Sequence, residues 1–183
     1  MRPNKPILTV IILLITALLT GLNFRFPGIL ESLRRSPATL SSEQWWRLIT
    51  PIFINRGGWL EITFNFLSFI IVGTIAETIW GSRRWLVFYL LGGLVGETAG
   101  LAWKPTGAGS SVAVFGLTGA LAVWLIVRKT SWPARLGGVS LILWATVLTA
   151  LSNLHGPPLL VCAGIAGFIL RRDARPTPAA RVP

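Results

Sequence analysis

The chain has 183 residues, 52% of them hydrophobic and 13% charged, with a mean hydropathy of +0.67. Soluble domains carry about 25% charged residues, so this composition excludes a water-soluble globule and indicates an integral membrane protein. The net charge of +11 would suit a nucleic-acid binder, but the basic residues sit between apolar spans, where they act as topology signals; the bilayer is the expected partner, and nucleic acid is not.

Met1 to Pro6 is short and basic and reads as a cytoplasmic N-terminus. Ile7 to Leu22 is continuous apolar sequence with no A-x-A-like cleavage site after it, so it reads as a first transmembrane helix rather than a signal peptide. Residues 23–58 form a long connection with Pro27, Pro37, Pro51 and the pair Trp45-Trp46. Such length is uncommon for an idle loop, and its aromatic and basic content suits segments lying in the headgroup layer. Trp59 to Ile79 is a second span carrying Glu61, Asn65 and Glu77, and Gly81 to Arg84 a basic turn. Trp85 to Trp103 is a third span, with Gly92, Gly96 and Gly100 spaced for close helix contact. Ser110 to Arg128, Leu136 to Ser152 and Pro157 to Leu170 are the fourth, fifth and sixth, and residues 171–183 a basic, Pro-rich, disordered cytoplasmic tail. The expectation is one all-α polytopic domain of six transmembrane helices over residues 7–170.

Six spans place both termini on one side. With the N-terminus inside, eleven of the 17 basic residues are cytoplasmic, including Arg2, Lys129, Arg175 and Arg181. The positive-inside rule therefore predicts both termini in the cytoplasm, across a cell (inner) membrane. Trp45, Trp46, Trp59 and Trp103 would form an outer aromatic belt, and Trp80, Trp85 and Trp132 an inner one. Glu77 is expected to pair with Arg83 or Arg84, and Glu97 to hydrogen-bond a neighbouring helix.

This topology has a chemical consequence. The second, fourth and sixth spans all descend from the outer face, and Asn65, Ser111 and His155 lie near their starts. Asn65 is about 9 Å down, at 1.5 Å per residue. Ser111 stands at a helix N-terminus, where free N–H groups and the helix dipole favour a developing oxyanion. A serine, the chain's single histidine and an amide at one face outline a nucleophile, a base and an anion hole. No Asp lies near the sixth span, so a Ser-His dyad is the expectation. One histidine and scattered carboxylates make no metal site, and the lone Cys162 makes no disulfide or CxxC motif; no metal or cofactor is expected.

Two blocks resemble the rhomboid family of intramembrane serine proteases, over about residues 43–170. The first is Trp45-Trp-Arg-Leu-Ile-Thr-Pro-Ile-Phe53, then Leu60-Glu-Ile-Thr-Phe-Asn65, Gly73, Glu77 and Gly81-Ser-Arg-Arg84. The second is Gly109-Ser-Ser-Val-Ala-Val-Phe-Gly-Leu-Thr-Gly119, similar to the family's G-x-S-G-A-x-[FY]-G-L-x-G block. The resemblance implies a six-helix core with residues 23–58 as its membrane-embedded loop. It also implies Ser111 as nucleophile, His155 as base, and Asn65 with the Ser111 backbone N–H as oxyanion donors. Transmembrane proteins would be the substrates. The sequence departs from the family pattern at Glu61 and Asn55, where histidines are usual, and at Val112, Pro158 and Cys162, where glycines are usual. These changes suit an alternative of another class, a catalytically inactive rhomboid-like protein that binds transmembrane helices as a scaffold or chaperone.

Overall fold

In hydrocarbon a backbone must satisfy its own N–H and C=O groups, so long apolar runs fold as helices. The computed structural model describes residues 4–128 and 131–174, and the regular elements among them are all helical. They are α1 (Ile7–Arg25), α2 (Gly28–Leu33), α3 (Pro37–Ser41), two 3-10 turns (Trp45–Leu48 and Thr50–Phe53), α4 (Trp59–Trp103), α5 (Ser111–Val127), α6 (Trp132–Ala150) and α7 (Gly156–Asp173).

Helices α1, α4 and α6 are long and apolar enough to cross a membrane, and α5 is a shorter apolar helix. At 45 residues, α4 is long enough for two crossings of about 20 residues each. It breaks at Gly81, whose φ of 74° and ψ of 159° lie where essentially glycine alone is stable. The second and third predicted spans are therefore the two limbs of α4, residues 59–80 and 82–103. With α1, α5, α6 and α7 they complete the six-helix polytopic fold. Some boundaries differ from expectation. Helix α6 starts at Trp132, because Pro133 is tolerated in a first turn. Helix α7 continues to Asp173, whose carboxylate meets Arg84 at 2.8 Å, so residues 171–173 are helix rather than tail. Residues 175–183, and Arg2 and Lys129, lie outside the described residues.

Glu77 does not pair with Arg83 or Arg84. Its fully buried carboxylate accepts hydrogen bonds from Leu8 N (3.0 Å), Thr9 N (2.7 Å), Thr9 Oγ1 (2.7 Å) and Ser82 Oγ (2.6 Å). Two of these donors are first-turn N–H groups of α1, which no carbonyl of their own helix can reach. The inner aromatic belt is also corrected. Trp80 and Trp85 are buried, and Trp85 donates Nε1–H to Gly73 O (3.0 Å) and stacks on Tyr89. Trp45, Trp46, Trp59 and Trp132 are exposed, as anchoring at an interface requires.

Small residues set the spacing of α4, α5 and α7. A Cβ on Gly92 would meet Gly116 Cα at 2.7 Å, and one on Gly116 would meet Cys162 Sγ at 3.2 Å. A Cβ on Gly119 would fall 2.9 Å from the Leu159 carbonyl carbon. The contact with α7 thus uses glycines of α5, and Cys162 on α7 needs no glycine in its place. Val112 is accommodated in the same way, since its Cγ1 occupies space 2.8 Å from where Gly96 would carry a Cβ.

Candidate active site

The N-termini of α5 and α7 meet at one end of the bundle. Ser111 is the first residue of α5 and His155 the residue before α7. Ser111 Oγ lies 2.9 Å from His155 Nε2. The two residues are 44 apart in sequence, so the close α5–α7 packing at Gly116 and Gly119 is what brings them together. Phe115, one turn along α5 from Ser111, packs its ring 4.7 Å from the imidazole centroid.

The sequence reading missed Asn153, which completes this arrangement. Its Oδ1 accepts the His155 backbone N–H (3.1 Å) and lies 2.8 Å from His155 Nδ1. A backbone N–H can only donate, so the amide must present its oxygen. That oxygen in turn requires a proton on Nδ1, which leaves the Nε2 lone pair facing the Ser111 hydroxyl. The hydrogen-bond network thereby assigns the imidazole tautomer. An Asn two residues ahead of a turn residue is a common local motif, the one sequence signal that pointed here.

His155 sits in the turn ahead of α7, outside the spanning helices. Burial, reinforced by the positive Lys104, lowers its pKa from the ordinary 6.5 to about 4. Neutral imidazole is the form that can take a proton from serine.

Asn65 lies on the first limb of α4 and donates Nδ2–H to Asn55 Oδ1 at 3.1 Å. The same oxygen accepts from Ser110 N (3.1 Å) and Ser110 Oγ (3.0 Å), beside Ser111. Asn65 is therefore joined to the start of α5 through one intervening amide. The Ser111 N–H belongs to the first turn of α5, so no preceding helical carbonyl accepts it.

A cleft at this end is lined by Ser111 and His155 with Arg35, Arg56, Glu61, Glu97 and Lys104. Glu61 is exposed in the first turn of α4, with its carboxyl folded against Gly57. Glu97 does not bond a neighbouring helix; it forms a buried ion pair with Arg35 of the 23–58 connection. Arg35 also donates to Glu97 O (3.0 Å) and Pro105 O (3.2 Å), and its backbone pairs with Gly107 in both directions. Pro51 O accepts Gly109 N–H at 3.0 Å. The connection is thus fastened to the segment that leads into Ser111. Among the described residues no group of three or more His, Cys, Asp or Glu side chains is placed to hold a metal ion.

Fold and site together define a polytopic helical membrane protein with a hydrogen-bonded serine and histidine at the ends of two packed helices. The sequence pattern of the Rhomboid domain family matches residues 42–170, and the chain belongs to the rhomboid family. It is 41% identical over 83 residues to "Rhomboid protease GluP" of Bacillus subtilis (strain 168), covering 45% of this chain and 16% of that protein. It is 30% identical over 93 residues to YdcA of the same organism, covering 49% and 46%. With "Rhomboid-like protease 3" of Toxoplasma gondii it shares 30% identity over 84 residues, covering 45% and 32%. The chain therefore matches less than half the length of each of these relatives.

Proposed function

We propose that the chain is an intramembrane serine endopeptidase acting on transmembrane proteins. Ser111 Oγ attacks the scissile carbonyl and His155 Nε2 takes its proton, while Asn153 holds the Nδ1–H. The Asn65 side chain and the Ser111 N–H stabilise the oxyanion, and the imidazolium then protonates the departing amine as the C–N bond breaks. Water, deprotonated by the same imidazole, hydrolyses the acyl-enzyme; this sequence requires no metal or cofactor. The observation that carries the reading is the 2.9 Å approach of Ser111 Oγ to His155 Nε2, within the range for direct proton transfer.

The orientation that accompanies it is cytoplasmic N- and C-termini, with the cleft near the outer face of the cell membrane. This rests on the distribution of Arg and Lys.

The test uses the full chain reconstituted in vesicles with generic transmembrane substrates, beside Ser111→Ala and His155→Ala. Cleavage that is lost in both variants is expected. Absence both of cleavage and of Ser111 labelling by a serine-directed phosphonate would overturn the proposal, leaving a helix-binding protein without protease activity.

A further inference from the structure

Asn55 is almost wholly buried beside the start of α5, and the chemistry above gives it no part. It follows the 3-10 turn Thr50–Phe53, and its backbone N–H is anchored to Thr20 Oγ1 of α1 at 3.0 Å. Its side-chain oxygen takes three donors: Ser110 N–H, Ser110 Oγ–H and Asn65 Nδ2–H. Its Nδ2 is buried with no hydrogen-bond partner. A buried unpaired donor is costly, and the bonds at the oxygen offset that cost.

These contacts leave two amides no freedom to flip. Ser110 N is a backbone donor, so Asn55 must turn its oxygen toward it. An oxygen facing Asn65 in turn demands the NH2 of Asn65, not its carbonyl. The orientation of Asn65 is therefore dictated by a backbone N–H one residue from the nucleophile. One Nδ2 hydrogen of Asn65 goes to Asn55, and the other is left to donate elsewhere. With a flipped amide, Asn65 would present a carbonyl oxygen, which repels an oxyanion.

We infer that Asn55 is a positioning residue for the oxyanion hole, holding Asn65 with its amide hydrogens toward the start of α5. The inference rests on the serine protease reading of the same site. It predicts that most of the effect of Asn55 on catalysis passes through Asn65, with a smaller part coming from its bonds to Ser110.

A double-mutant cycle tests this in the reconstituted full chain, with kcat and KM measured for a transmembrane substrate. Asn65→Ala should lower kcat by about 10²-fold, the usual loss for one oxyanion donor. Asn55→Ala should lower kcat by about tenfold or more with KM nearly unchanged, as for an interaction made only in the transition state. In the Asn65→Ala background it should cost less than about threefold, because coupled residues are non-additive. Asn55→Ser takes its place in the cycle if Asn55→Ala does not fold. An equal loss in both backgrounds, or an unchanged kcat, overturns the inference while leaving the protease reading intact. A wild-type chain that neither cleaves nor labels removes both.

Discussion

Asn153 and His155 are joined twice through a single oxygen, which accepts the backbone N–H of His155 and the Nδ1–H of the same residue. The histidine thus fixes its own tautomer by way of a neighbour two positions back. Asn153→Ala should lower kcat by about 10²-fold, the scale of loss from a misplaced reacting group. Asn153→Asp should restore much of it, since a carboxylate accepts the same two bonds. Unchanged kinetics in Asn153→Ala would show that the imidazole is held by other contacts.

The depressed pKa of His155 has a direct kinetic sign. Burial, with the charge of Lys104, disfavours the imidazolium, so protons compete for Nε2 only near pH 4. Phosphonate labelling of Ser111 should therefore stay nearly constant down to about pH 5 and fall below it as the base is protonated. Lys104→Gln should move the midpoint upward. A midpoint at 6.5 in the wild-type chain would mean that the imidazole is solvated.

The approach of α7 to α5 depends on the absence of a side chain at position 119. Gly119→Ala places a methyl group against the Leu159 backbone, which cannot yield as a flexible side chain can. Helix α7 must shift, and the hydrogen bond between Ser111 and His155 lengthens. The expected result is loss of cleavage by about 10²-fold or more with helical circular dichroism retained. Wild-type kinetics would show that α7 is not positioned by this contact.

The buried pair of Arg35 and Glu97 ties the 23–58 connection to the second limb of α4. Removing one partner strands the other charge, and Arg35→Ala should destabilise the fold by about 3 to 5 kcal/mol. Replacing both with Met should recover part of that loss, because no charge is then stranded, although the carbonyls of Glu97, Lys104 and Pro105 still lose their donor. Thermal unfolding in detergent reads both variants, and equal melting of Arg35→Ala and the wild type would show that the pair is not structural.

Much of the architecture was legible because membrane helices are written as long apolar runs. Ser111 and His155 were legible for a related reason, as each stands where such a run begins. Asn153 was not, because its role comes from turn geometry that no periodicity reveals. Glu97 was placed on the correct helix but given the wrong partner, since Arg35 is 62 residues away in a segment without regular pattern. Trp80 and Trp85 misled because tryptophan serves interfaces and cores alike, and only packing separates the two. Cys162 and Val112 depart from the family pattern, yet Gly116 and Gly96 on facing helices absorb them. A single sequence cannot display such compensation across a contact.

The carboxylate of Glu77 bears on how the protein is made. It closes the first turn of α1 from 68 and 69 positions further along the chain. During translation α1 leaves the ribosome with those amide hydrogens answered only by water or headgroups. They gain their permanent acceptor once the first limb of α4 has entered the bilayer. Helix α1 is thus finished only after a later span is in place, and a chain arrested before residue 77 would carry it incomplete.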